Sequence, residues 1–310
     1  MNLGIYLPVA GTSVNMFILF GLGGTVGFLS GLFGVGGGFL LTPLLIIIGI
    51  PPTVAAASDS NQIVAASASG TYAHALHGTV DFKMGILLLI GGVIGGTLGV
   101  RLIHLLRSTG EANFVISVTY VVMLGSIGSY MFYDSLLGLF GKRLDKTSRR
   151  TLSRPPFSAR LLNTLPFKME FTRSQVTFSA IIPLFLGGLV GILAAIMGVG
   201  GGFIMVPIMI YILRMPMHVV VGTSLFQILF TSINVTIMQA WMNHSVDFIL
   251  ALNLLFGSVI GAQIGTQVGK KLKMDHLKIL LSLIVMVVMI KMLVDLLAAP
   301  EILLSYKGGH

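Results

Sequence analysis

Apolar residues run along this chain in long blocks separated by short polar breaks. The blocks fall near 16–33, 39–50, 54–76, 82–106 and 112–140, and then near 177–197, 203–213, 218–241, 248–269 and 276–298. Most reach the roughly 18–25 residues that a helix needs to cross a hydrocarbon core about 30 Å thick. They lack the alternating ten-residue pattern of barrel strands. The pattern predicts an all-α polytopic membrane protein. The second block of each set is too short for an upright span, so it is expected to fold back on its predecessor as a broken or re-entrant hairpin.

Composition agrees. Hydrophobic residues make up 55% of the 310 and charged residues 9%, with a mean hydropathy of +0.97. A water-soluble chain of this length needs a charged surface that these residues cannot build. The first fifteen residues contain no Lys or Arg, so the charged start of a cleavable signal is missing. An uncharged tail leading straight into the first membrane segment is expected. The absence of cysteine removes disulfide frameworks, thiolate metal sites and cysteine nucleophiles.

The two sets of blocks are copies. GFLSGLFGVGGGFLLTPLL from Gly27 matches GILAAIMGVGGGFIMVPIM from Gly191, with Gly34–Gly38 on Gly198–Gly202, Pro43 on Pro207 and Pro52 on Pro216, all 164 residues apart. After a two-residue insertion, Val80-Asp81-Phe82 matches Val246-Asp247-Phe248, and Gly91, Gly95 and Gly99 match Gly257, Gly261 and Gly265. Internal duplication is a common build of secondary transporters. The chain divides into a first repeat (1–140), a basic linker (141–174) and a second repeat (175–310), each repeat holding about five transmembrane or re-entrant helices.

The net charge of +9 could suggest nucleic acid, but the cations sit between membrane segments, where they act as topology signals. The linker holds Lys142, Arg143, Lys146, Arg149, Arg150, Arg154, Arg160, Lys168 and Arg173 against Asp145 and Glu170, which places it in the cytoplasm. Lys270, Lys271, Lys273 and Lys278 fall on the same side, while Arg101 and Arg107 fall outside, a mild conflict. An odd number of crossings per half makes the repeats inverted, with both termini outside.

The paired Gly-Val-Gly-Gly-Gly-Phe stretches are where chemistry is expected. Three successive glycines cost a helix roughly 1 kcal/mol each relative to Ala, so each helix should break there. Backbone freed inside a bilayer must be buried in protein or line a watery cavity. The helix restarting after each triplet offers N–H groups and a positive dipole end to a negative charge. Gly36, Gly37, Gly38, Gly200, Gly201 and Gly202 are therefore candidate substrate-binding positions, the alternative being close helix packing alone. Phe39 and Phe203 follow the glycines where a phosphate loop needs Lys-Ser/Thr, and the dinucleotide fingerprint fails as well. No cofactor is implied.

The third block of each half is unusually polar. Ser224, Gln227, Thr231 and Asn234 share one helical face, and Ser58, Asn61 and Gln62 belong to the corresponding block. Such side chains can donate to the oxygens of a carboxylate or sulfonate, or they can bond neighbouring helices. Thr223 is the counterpart of Asp59. An acid within a membrane block is costly, and Asp59 is the candidate for proton coupling. His74 and His77 stand three apart without a third ligand type nearby and read as interfacial; no metal is expected. Asp81 and Asp247 look like helix caps, and the four-residue glycine series look like close helix contacts. Asn243-His244-Ser245 fits a glycosylation sequon, on weak evidence.

The stretches Gly31–Pro43 and Ala195–Pro207, together with Val-Gly-Thr-Ser at 221–224, resemble the TauE/SafE family of sulfite and organosulfonate exporters. The resemblance implies a bacterial-type plasma-membrane carrier for sulfite, sulfoacetate or related sulfur-containing anions, with export the commoner direction. Ala57-Ser58-Asp59-Ser60 departs from Val-Gly-Thr-Ser at the matching place, which argues against a simple twofold sharing of the substrate. The partners expected are a small anion and the lipid bilayer. The alternatives are an anion channel of the same architecture, or an intramembrane enzyme recruiting His74, His77 and Asp59, for which no second acid or nucleophile stands at productive spacing.

Overall fold

The structure, a computed structural model, describes residues 4–33, 38–139, 167–171, 173–174, 176–213, 215–269 and 274–298. The linker cations from Lys142 to Arg160, and Lys270, Lys271 and Lys273, lie outside the described residues.

The first half opens with a hairpin of β1 (Gly4–Leu7) and β2 (Thr12–Asn15), and continues as α1 (Met16–Phe33), α2 (Gly38–Ile47), α3 (Pro52–Leu76), α4 (Phe82–Ser108) and α5 (Ala112–Leu139). The second half repeats the order with β3 (Lys168–Phe171), β4 (Val176–Ser179), α6 (Ile181–Met197), α7 (Gly202–Pro207), α8 (Met217–Asn243), α9 (Phe248–Gly269) and α10 (Met274–Leu297). Pro207 has no N–H to donate, and after it the chain makes a π-helical turn over Ile208–Ile212. Among the described residues, α4, α5, α8, α9 and α10 contain helical stretches long and apolar enough to cross a membrane. The chain is a multi-pass helical membrane protein.

The hairpins correct two expectations. The start of the chain is not a tail running directly into α1, because β1 and β2 pair there from Gly4↔Asn15 to Leu7↔Thr12. The block expected from residue 177 begins as β4, and α6 starts only at Ile181. The hairpins belong to the repeat: Gly4 corresponds to Lys168 and Asn15 to Ser179, 164 residues on. β3 starts inside the stretch expected to be linker.

The halves are interwoven, not side by side. α1 packs along α9 and α4 along α6, the same pair with the halves exchanged; α3 packs on α8 and α5 on α10. Glycines permit this closeness. A Cβ at Gly27 would lie 2.2 Å from the Ser258 carbonyl oxygen, and one at the matching Gly191 would lie 2.3 Å from that of Gly92. Gly91, Gly95, Gly257 and Gly261 complete the two contacts from the other side, so these series are helix-packing faces, as expected.

Each hairpin is fastened to the other half. Asp81 caps α4 by accepting from Met84 N, and its other carboxylate oxygen takes the Ser174 N–H at 3.1 Å and hydroxyl at 2.5 Å. Arg173 adds bonds to the carbonyls of Gly78 and Val80. In the same manner Asp247 caps α9 through Leu250 N and takes the Val9 N–H at 3.1 Å. The far end of α4 meets the α8–α9 connection, where His104 bonds the Asn243 side chain and Arg107 donates to the Asn243 carbonyl. The two hairpins therefore stand at opposite ends of α4. Arg107, awkward for charge topology, is spent on this anchor. Asn243 is buried and also bonds Gln239, which leaves no room for a glycan.

Candidate functional site

The second glycine stretch breaks its helix. α6 ends at Met197, and Gly198, Gly200 and Gly201 take φ of 73°, 67° and 79°, left-handed backbone that favours glycine. Gly201 caps α7 with no side chain, and Gly202 is the first residue of that helix. In the first half Gly38 opens α2 and is buried, while Gly36 and Gly37, with Gly34 and Val35, lie outside the described residues.

The two stretches converge. Phe39 and Phe203, each next after its glycines, stack with ring centroids 4.3 Å apart and planes within 4°. Ile63 of α3 touches both sides: a Cβ on Gly38 would lie 2.4 Å from its Cδ1, and one on Gly200 would lie 2.8 Å from its Cγ2. Gly200 also faces Ile228 and the Ser232 hydroxyl of α8, at 2.8 Å and 2.7 Å from such a Cβ.

α3 and α8 cross antiparallel at this point, since His74 lies by Gly222, Leu225 by Gly70, and Ile63 and Ile228 meet at Gly200. Among the described residues, the buried side-chain polar atoms without a protein partner are Asp59 Oδ1, Gln62 Oε1, Thr71 Oγ1, Gln227 Oε1, Ser232 Oγ and Thr236 Oγ1, all on α3 or α8, and Thr12 Oγ1 in the first hairpin. Such orphans cost about 1–3 kcal/mol each and call for an explanation. Six of these seven atoms fall on one helix pair, and one of them, Ser232 Oγ, stands against the break at Gly200.

The predicted residues divide between two duties. Gln62, Gln227 and Asp59 keep an open oxygen here, and Asn61 is half-buried on the same helix. The rest of the α8 stripe is committed to neighbours. Thr231 accepts from Gln227 Nε2 at 2.9 Å, and both sit over Gly92 of α4. Asn234 donates to the Val93 carbonyl and the Thr97 hydroxyl of α4. Ser224 donates to Val221 within its own helix. Ser58 and Thr223 serve the caps: their hydroxyls accept from the backbone N–H of Asp247 and of Asp81, at 3.1 Å and 3.0 Å. His74 bonds Thr79 in its own loop, and His77 is exposed. Among the described residues no three His, Asp or Glu side chains are grouped to hold a metal.

Three residues escaped the sequence reading. Ser232 lies one position off the polar stripe. Thr42 donates to Asp59 Oδ2 at 2.7 Å, and Tyr120 of α5 donates from its buried hydroxyl to the Met197 carbonyl. The Thr42-Pro43 pair inside α2 was the visible signal for the second; nothing local marks Tyr120.

A family model described as "Sulfite exporter TauE/SafE" matches residues 19–292. "Probable membrane transporter protein YjnA" of Bacillus subtilis is 29% identical over 279 residues, covering 89% of this chain and 98% of that protein. "Probable membrane transporter protein YunE" of the same organism is 24% identical, covering 89% and 96%. "Sulfite exporter TauE/SafE family protein 2" of Arabidopsis thaliana is 28% identical over a shorter stretch, 36% of this chain and 24% of that protein. No solved structure matches.

Proposed function

This chain belongs to the sulfite exporter TauE/SafE family, and from that membership and the α3/α8 site we propose that it is a secondary transporter exporting small sulfur-containing anions, such as sulfite or sulfoacetate, by alternating access. The reading rests on one observation: the Ser232 hydroxyl is buried, lacks a partner among the described residues and faces the left-handed Gly200. A hydroxyl and the backbone of an interrupted helix are complementary to anionic oxygens. Gln62 and Gln227 supply further open polar atoms at the same crossing.

The exchanged helix pairs and the hairpins at opposite ends of α4 support inverted repeats, and the cations of the 141–174 linker support a plasma membrane with that linker in the cytoplasm and the α4–α5 connection outside. Moving one negative charge outward gains about 2.3 kcal/mol per 100 mV of inside-negative potential, so export runs without a nucleotide. Asp59 is the group placed to add coupling to a proton gradient. The buried Phe39–Phe203 stack joins the two halves where their glycine stretches meet.

Removing an unpartnered buried hydroxyl should leave the fold intact, so Ser232→Ala isolates function. Sulfite efflux from proteoliposomes under an imposed potential should fall about tenfold in Ser232→Ala, the equivalent of one lost hydrogen bond of about 1.4 kcal/mol, with melting unchanged. Wild-type flux in the folded variant would remove Ser232 and the glycine stretch beside it from the substrate path. Single-channel currents from the purified protein would select the pore instead.

A further inference from the structure

Consecutive residues of α3 reach consecutive carbonyls of the second-half break by separate threads. Asp59 is bonded by Thr42, Thr42 lies beside the Tyr120 hydroxyl, and Tyr120 donates to the carbonyl of Met197. The Ser60 hydroxyl stands between the carbonyls of Ala56, at 3.1 Å, and Gly198, at 3.2 Å, and its one hydrogen is shared between them. Thr42, Asp59, Ser60, Tyr120 and Met197 are all at most 1% exposed. One carboxylate oxygen, Oδ1, has no partner among the described residues, and no Lys or Arg stands in α2, α3, α6, α8 or α9 up to Gly269. The C-terminal end of α6 brings its own partial negative charge to the same place. A carboxylate, three hydroxyls and the carbonyls of a broken helix end form an all-oxygen group of negative character, and α2, α3, α6, α8 and α9 bring no cation to balance it. Helix-end carbonyls with an acid are the means by which transporters hold small cations.

We propose that Asp59, Thr42, Ser60, Tyr120 and the carbonyls of Met197 and Gly198 form a binding site for one small monovalent cation, sodium or proton, which ties the first half's α3 to the second half's break. The inference deepens the transporter reading, on which its role in coupling rests. The site occurs once per chain, because Asp59 is matched by Thr223 and Thr42 by Val206. Of the helices packed there, α2, α6 and α9 have no titratable group; α5 has Tyr120, with Tyr130 and Tyr133 exposed further along and Asp134 near its end; α8 has His218 in its first turn; α3 itself has Tyr72 and His74 more than three turns away. α4, along α6, carries Lys83, Arg101, His104 and Arg107, and α10, on α2 and α5, carries Asp275, His276, Lys278, Lys291 and Asp295.

The test needs no anion, so its result is independent of whether sulfite is the cargo. Thermal unfolding of the purified protein is followed in sodium chloride and in choline chloride of equal ionic strength, each at two pH values. A bound cation raises the melting temperature. Wild type should melt higher in sodium than in choline if the cation is sodium, or higher at the lower pH in both salts if it is a proton. Asp59→Asn should abolish that difference, Tyr120→Phe should shrink it, and Asp295→Asn, at an exposed ion pair with Lys291, should retain it. A difference unchanged in Asp59→Asn, or no wild-type difference in either comparison, overturns the site. Should Asp59→Asn fail to fold, Thr42→Val, which keeps the carboxylate and removes its donor, is judged by the same two outcomes.

Discussion

A methyl group on Gly95 would lie 1.9 Å from the carbonyl oxygen of Gly188, and backbone cannot step aside as a side chain can. Gly95→Ala should therefore push α4 and α6 apart, at a cost of about 1–3 kcal/mol or more. Gly21, on the open face of α1, has nothing within 4 Å of a Cβ, and Gly21→Ala should be neutral or stabilising by up to about 1 kcal/mol. Thermal melting of the two variants in one detergent checks both, and equal melting points would refute the packing account. At this scale the sequence was informative where a residue type is scarce or costly. The second run of glycine breaks its helix, two aspartates ahead of apolar blocks cap α4 and α9, and the acid inside a block is buried. It was silent where meaning comes from a distant partner. The α8 stripe is a single face by spacing, yet spacing cannot tell that Asn234 finds Val93 and Thr97 while Gln227 keeps an oxygen free.

Among the elements, the long helices were legible because a bilayer imposes a length and an apolarity that leave few alternatives. The hairpins were not. Each strand is four residues long, too short for an alternation to show, and GIYL and TSVN share little with KMEF and VTFS although they occupy matching positions. What fixes them is tertiary: Leu7 and Phe171 are fully buried at corresponding places, and the hairpin ends bond Asp247 and Asp81. The two fastenings differ in strength. Asp81 takes both a backbone and a hydroxyl hydrogen bond from Ser174, while Asp247 takes one backbone bond from Val9. Loss of a cap costs about 1 kcal/mol, and each lost bond to a charged acceptor about 1.5–3 kcal/mol. Asp81→Ala should thus destabilise more than Asp247→Ala, by at least about 1 kcal/mol on those figures. Chemical or thermal unfolding of both variants decides it; the reverse order would mean that the hairpin ends contribute little.

For the molecule as a whole, the repeat was readable as a duplication, but not the exchange of partners between copies, because pairing of α1 with α9 and of α4 with α6 leaves no mark on either sequence alone. The side of the membrane on which each hairpin lies follows from the inverted arrangement proposed above. The chain has no cysteine, so single cysteines report position without background. Gly4 and Lys168 hold matching positions in the two hairpins, and both are exposed. On intact cells a membrane-impermeant thiol reagent should label Gly4→Cys and spare Lys168→Cys until the membrane is opened. Labelling of both from one side would make the repeats parallel.

The exchange of partners also sets a timetable for biosynthesis. α1 is complete at Phe33, but α9, whose glycines fit against it, begins only at Phe248. While the ribosome works through the intervening stretch, the small-residue face of α1 has lipid or an insertion factor for company. A nascent chain halted in the linker would hold five helices and none of the principal mates of α1, α3, α4 or α5. It would be an orphan for membrane quality control to clear, and the two halves cannot mature in turn but must close on each other late, in one event.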